Sequence, residues 1–402
     1  MITVEEASAI IKAQHISLAT EIIAMKDALG RMLAENVYAD RDMPPFNRVS
    51  MDGIAISYYE YLNGRREWIC DKIQYAGEAP VTLEHTHNCI EVMTGAVLPA
   101  GCDAVIRYED LEHKQSATGD KVFSLISEVF IKQHQNIHAQ GSDKAANACI
   151  LTKGQSINAT DMALLATVGK HQLSVFCKPR IAIIATGDEL TAVETTPECF
   201  QIRASNPLMI GAALSEKGLE ADRFIVRDEI AGLKQLLDQC MKQYQIVIIT
   251  GAVSKGKADF IPPVLMQLKA EKLFHGVAQR PAKPFWFGRR ANCLVFAMPG
   301  NPVSAAVCTY VYLLPFLSSI VGRSMIKYRC LVSEEVTFKP ALTYFMQAKI
   351  NQNEVGEYIA TPFQGNGSGD LTNLSEINAF IVLPAGETHF SRQNNYEFYF
   401  TR

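Results

Sequence analysis

The stretch Gln245 to Phe260, QIVIITGAVSKGKADF, constrains the fold of this chain more than any other. Ile246, Val247, Ile248 and Ile249 form an unbroken β-branched run, as a strand does when helices cover both faces of a parallel sheet. A small, glycine-bearing, basic turn follows. Phe260 to Leu268 then reads as an apolar-periodic helix, with Pro262 and Pro263 in its first turn, where a missing N–H costs little. Strand, small turn and helix N-terminus together offer backbone N–H groups to an anion. Lys255 and Lys257 add charge, whereas Asp259 puts a carboxylate where the anion would sit. A carboxylate beside a phosphate calls for a metal between them. The bland readings are a solvated turn and, for Asp259, a plain N-cap.

The surrounding pattern is α/β. From Arg180 onward strands and helices alternate: Ile181 to Ile184, Ser205 to Lys217, Arg223 to Val226, Ala231 to Lys242, the Gln245 strand and its helix, Cys293 to Phe296, and a long helix from Pro302 to Leu317. That alternation predicts a parallel sheet with helices on both faces. After Ser324, short alternating strands between Gly and Asn turns predict a small β-barrel domain.

The N-terminal part reads differently. Val4 to Ala13 and Glu21 to Leu29 are helical by pattern, with Gly30 capping the second. Prolines in Asp42 to Ala55 forbid a helix, so an ordered loop leads into a strand from Ile54. Short β-like runs such as Cys89 to Met93 and Ala104 to Tyr108 follow, with a turn-laden loop from Met93 to Val105 that reads as a hairpin connection. Asp161 to Gly169 is a short helix with Thr160 as N-cap. The expected division is 1–178 (helical parts 1–40 and 142–178 around a β-rich insert 41–141), an α/β domain 179–325 and the barrel 326–402.

At 402 residues the chain exceeds one ordinary core. A net charge of −4 argues against a general nucleic-acid binder. No apolar run is expected to reach the roughly 18 residues of a membrane span. The start MITVEEASAI lacks the features of a signal peptide. Ten cysteines without CxxC spacing read as buried thiols of a cytoplasmic protein rather than zinc ligands or disulfides.

Three α/β loops lie at strand carboxyl ends, where open sheets bind ligands. They are Ala185 to Leu190 (ATGDEL), Gly251 to Asp259, and Met298 to Ala305 (MPGNPVSA), the last with Asn301 as a ready N-cap before Pro302. Arg280 and Lys283, held apart by prolines, suit a phosphate. Small residues such as Gly251 and Gly300 let a flat ligand approach the backbone.

PPFNRVSMDGIA, MTGAVLPAGCDAVI, TGDEL, TGAVSKGKAD and MPGNPVSA, in this order, are similar to the molybdopterin molybdotransferases, namely the MoeA proteins and the E-domain of gephyrin. The resemblance implies an elongated homodimer with a helical and β-rich N-terminal region, an α/β pterin-binding domain and a C-terminal β-barrel. It implies an enzyme that takes adenylylated molybdopterin and molybdate, uses a divalent metal such as Mg²⁺, and releases AMP. The molybdopterin adenylyltransferase and molybdoenzyme chaperones are implied partners. Matching positions are Asp52, Thr94, Asp143, Glu189, Asp228, Asp259, Lys283, Pro299, Pro302 and Ser368. Ser254, Lys257, Arg280, Gly300 and Asn301 join the expected substrate-binding set. Asp143, Glu189 and Asp259 supply the hard oxygens Mg²⁺ prefers.

The chain departs from the family pattern at Ala252, Arg280, Ala282 and Ser142, at His138 where the family has Arg, and at Gln347 where the barrel's Arg is expected. Two rival readings use the same α/β domain: an adenylylating enzyme, and a pterin-binding scaffold without catalysis. An active site drawing on both copies of the homodimer is also expected, because SMDG and MTGA lie outside the α/β domain.

Overall fold

The computed structural model describes residues 1–117, 119–251, 260–323 and 326–402. The chain divides into two compact units, one of 1–34, 154–158 and 174–402, the other of 35–153 and 159–173.

The first unit contains a six-stranded sheet built from β1 (Ile181–Thr186), β2 (Ala221–Val226), β3 (Ile246–Thr250), β4 (Glu271–His275), β5 (Trp286–Arg290) and β6 (Cys293–Met298), in the order β2-β1-β3-β6-β5-β4. The first four strands are parallel, as expected; β5 runs antiparallel to both β6 and β4. Those two added strands make the sheet mixed rather than parallel throughout. Its residues alternate between two cores. Ile181, Ile183, Ile246, Ile248, Leu294 and Phe296 face one, and Ala182, Ile184, Val247, Ile249, Val295 and Ala297 face the other. The period of two along each strand explains why no polar residue interrupts these runs.

Helices α1 (Asn206–Ser215), α2 (Ile230–Gln243) and α3 (Ile261–Gln267) follow β1, β2 and β3. After β6, a continuous helical stretch runs Pro302–Cys308, through a π-turn Thr309–Leu313, to Leu314–Ile320. Contrary to the expectation for apolar runs, Pro302–Ile320 spans 19 residues and is apolar enough to cross a membrane by length and composition alone. Its surroundings explain the composition, since 78% of that window is buried inside the fold. The N-terminal helix Val4–Lys12, with a Thr3/Glu6 capping box, adds Val4, Ala7 and Ile11 to the same core.

Strands Tyr328–Val332, Thr343–Gln352, Tyr358–Pro362, Ala379–Leu383 and Tyr396–Phe400 close into a barrel, because Thr343–Gln352 pairs with both Tyr358–Pro362 and Ala379–Leu383. Gln279–Arg280 adds in parallel to Thr343–Tyr344, which attaches the Arg280 loop to the barrel.

The second unit is a six-stranded sheet in the order Ala104–Arg107, Gly53–Ile56, Cys89–Val92, Glu67–Gln74, Lys121–Leu125, Leu111–Gln115. Gly53–Ile56 lies between Cys89–Val92 and Ala104–Arg107, so the Met93 to Val105 loop crosses over a strand and is not a hairpin connection.

One helix expectation and one cap expectation fail. Residues 21–29 form strand Thr20–Ala24 and a single 3₁₀ turn Met25–Asp27, because Thr20, Ile22 and Ile23 favour extended backbone over a short helix with no cap. The later helix runs Ala159–Thr167, so Thr160 lies inside it and is not its cap. All ten cysteines are unpaired; six are buried, whereas Cys149 and Cys199 are exposed, so they are not uniformly core residues.

Candidate functional site

The carboxyl ends of β1, β2, β3 and β6 open into a cavity of about 1140 Å³ whose far wall comes from the barrel. Its lining includes Glu189, Asp228, Gly251, Arg280, Lys283, Pro299, Gly300, Asn301, Pro302 and Ser368. Ten of the expected site residues are therefore brought together by strand ends and one barrel loop. Ser254, Lys257 and Asp259, with Ala252, lie outside the described residues.

The acidic side is built by two strand ends. Asp228, just beyond β2, takes a backbone contact in which its N–H donates to Asp188 Oδ1 at 3.2 Å. Burial, and then the nearby charges of Asp188 and Glu189, push the Asp228 carboxyl above its ordinary value. Glu189 is exposed and is held by the short parallel pairing of Leu190 with Ile202.

The basic side is Arg280 and Lys283. Neither is ion-paired with a described residue, and the Arg280 guanidinium lies 5.9 Å from the Phe338 ring centroid. The turn between them is fixed from below. Buried Gln279 donates Nε2 to Ala282 O at 3.0 Å and accepts from Tyr312 OH. Gln347 presents a buried Oε1 without a partner among the described residues.

The floor is Gly251 and Gly300. Gly251 has φ +105°, and a Cβ there would come within 2.4 Å of Thr186 O, so the neighbouring strand end by itself demands glycine. Asn301 starts the Pro302 helix but makes no side-chain cap; its Nδ2 donates to Ser368 Oγ at 3.0 Å instead. Val303 N–H also donates to Ser368 O at 3.1 Å, so the barrel loop caps the helix. Within that loop Asp370 accepts from Thr372 N–H and Oγ1 and from Asn366, and these bonds hold its carboxyl below the usual range.

The second unit holds Asp52, Thr94 and Asp143. Asp52 Oδ1 accepts from Thr94 N–H at 2.6 Å and from Thr94 Oγ1 at 2.7 Å, which lowers the Asp52 pKa. The glycine of SMDG is obligatory, because a Cβ on Gly53 would lie 1.9 Å from Ile106 O. Arg48 and His138 are directly paired across short strands, and the Arg48 guanidinium lies 3.0 Å from His138 Nδ1. A guanidinium only donates, so Nδ1 accepts and Nε2–H is left to donate to Asp143 Oδ1 at 2.7 Å.

Sequence reasoning missed Arg203, Asn206, Gln279 and Tyr344, which also line the cavity. Asn206 sits in RASNP, where the following proline suggests a helix start but not a ligand contact. Among the described residues no three His, Cys, Asp or Glu side chains are grouped to hold a metal ion.

The chain resembles known proteins along its whole length. Residues 2–169 match the MoeA N-terminal region (domain I and II), 182–319 a probable molybdopterin binding domain, and 330–392 the MoeA C-terminal region (domain IV). A molybdopterin molybdenumtransferase of Synechocystis sp. is 33% identical over 402 residues, covering 99% of this chain and 100% of that protein. One from Staphylococcus epidermidis is 30% identical, covering 98% and 94%. The crystal structure of a molybdopterin biosynthesis MoeA protein from Pyrococcus horikoshii OT3 superposes with a TM-score of 0.83 at 26% identity over 100% of both chains. The chain belongs to the MoeA family of molybdopterin molybdenumtransferases.

Proposed function

We propose that this protein moves molybdenum from molybdate into adenylylated molybdopterin and releases AMP. The observation that carries this reading is one cavity in which Arg280 and Lys283, two cations that pair with no described acid, share space with the acidic rim of Glu189 and Asp228. AMP release breaks a phosphate-linked bond, so negative charge grows on phosphate oxygens as the bond opens. Lys283 and Arg280 neutralise that charge, and their fixed turn means little reorganisation is needed. The N–H groups before the Pro302 helix and the glycine floor orient the flat part of the substrate.

The acid rim suits Mg²⁺ in donor type, since carboxylates are hard oxygen ligands and their mutual repulsion favours a cation between them. Glu189 would hold it together with Asp259; Asp143 keeps its place in the expected set. When bound, the ion polarises a phosphate oxygen.

Barrel residues Gln347, Tyr344 and Ser368 line the cavity. That favours molybdenum transfer over simple adenylylation, which needs no barrel. We further propose a cytoplasmic homodimer whose site draws on both copies, with the adenylyltransferase and molybdoenzyme chaperones as partners and no nucleic acid or membrane. Light scattering showing a fully active monomer at micromolar concentration would rule out the dimer. The reaction itself is tested by incubating the chain with adenylylated molybdopterin, molybdate and Mg²⁺ and analysing the pterin by mass spectrometry. Molybdenum-bearing pterin supports the reading; pterin recovered without metal overturns it.

A further inference from the structure

Among the described residues, buried polar side-chain atoms without a partner are few, and two of them line this cavity: Asn206 Oδ1 and Gln347 Oε1. Native folds rarely leave such atoms unsatisfied, so each asks for an explanation. Asn206 is the most informative. It is the first residue of α1, 9% exposed, and its Nδ2 donates to Gly300 O at 2.7 Å. A carbonyl only accepts, so this bond sets the amide's orientation and turns Oδ1 away without a donor. Buried Gln279, in contrast, has both ends of its amide satisfied.

The neighbouring floor has no side chains. A Cβ on Gly300 would lie 3.4 Å from Gly251 Cα, and one on Gly251 would lie 2.9 Å from Thr186 Oγ1. Asn206, Gly300, Gly251 and Thr186 therefore form a contiguous strip, with the unpartnered Asn206 Oδ1 at one end and bare backbone beyond it. A flat ring can lie on such a strip, and what its rim must supply is N–H. We propose that Asn206 Oδ1 is a specificity-determining acceptor that reads the exocyclic amino group of a flat heterocycle in the substrate. The inference rests on the proposed function, whose substrate carries two amino-bearing rings, the pterin and the adenine.

Two ligand pairs that differ by amino against oxo separate these sources: 6-hydroxymethylpterin against 6-hydroxymethyllumazine, and AMP against IMP, each titrated calorimetrically into the full chain. In the wild type, the amino member of one pair is expected to bind about tenfold tighter or more, because an acceptor facing an oxo group is left unpaired. Asn206→Ala should bring that ratio close to one while changing the oxo ligand's affinity by less than about twofold. Loss through the Gly300 contact alone would weaken both members equally and leave the ratio intact, which would overturn the proposal. A wild type that discriminates within neither pair would also overturn it, independently of how the variant folds. If that same wild type still yields molybdenum-bearing pterin, only this inference falls; if it yields none, the functional reading falls with it.

Discussion

Asn301 Nδ2 donates to Ser368 Oγ at 3.0 Å, so the helix that closes the cavity is tied to the barrel by one side-chain bond. Ser368→Ala and Asn301→Ala should each destabilise the protein by about 1 kcal/mol, with a combined loss smaller than the sum. Chemical denaturation of the two single variants and the double variant measures this. Strictly additive losses would mean that the bond contributes nothing to the tie.

Lys283→Ala should weaken binding of adenylylated molybdopterin by about 1.5–3 kcal/mol, the range for a hydrogen bond to a charged group. Arg280→Lys keeps the charge but not the planar group near the Phe338 ring, so it should cost less than Lys283→Ala yet more than nothing. Equilibrium binding reads both. An unchanged affinity for Lys283→Ala would move the phosphate elsewhere.

Asp228 predicts a pH dependence. Its folded pKa lies above the ordinary 3.8 because of burial first and the charges of Asp188 and Glu189 next. In the window above 3.8 the folded chain holds more protons than the unfolded one, so stability falls as pH rises through it. Asp228→Asn removes the charge and keeps the shape. Melting curves of the ligand-free protein should show the variant more stable above the folded pKa, with a shallower loss as pH rises from 3.8. Superimposable pH profiles would contradict the assigned cause.

The Asp52 carboxyl is held low by the Thr94 backbone N–H first and the Thr94 hydroxyl second. Thr94→Val removes only the second donor. The Asp52 pKa, followed by NMR titration, should rise part of the way to its ordinary value; no movement would mean that the hydroxyl contact is not formed in solution.

Much of this site is legible in the chain because it consists of strand ends. The runs Ile181 to Ile184 and Ile246 to Ile249 announce buried strands, and the residues after them fall at carboxyl ends by geometry alone. Arg280 and Lys283 are legible as well, since flanking prolines keep two cations from joining regular structure. What was not legible depends on distant partners. Trp286 to Arg290 has no alternation that marks an antiparallel strand, because it is ordered by β4 and β6 on either side. Asn301 looks like an N-cap by position, yet Ser368, far along the chain, takes its side chain. Asn206 is ordinary in sequence and becomes informative only when Gly300 O fixes its amide. Thr20–Ala24 is a strand although its apolar spacing fits a helix, because its β-branched residues favour extension.

We infer that this cavity cleaves the adenylylated pterin in the course of metal insertion. The most direct measurement is AMP release, followed by chromatography, from adenylylated molybdopterin and molybdate, with and without Mg²⁺, for the wild type and for Glu189→Gln and Asp259→Asn. Glutamine and asparagine preserve side-chain shape, and Phe260 occupies the N-cap of α3, so folding should survive both changes. The account predicts Mg²⁺-dependent AMP release by the wild type and a loss of at least about a hundredfold in each variant, with the pterin still bound. AMP release at the wild-type rate by both variants, or by the wild type without any divalent ion, would contradict it.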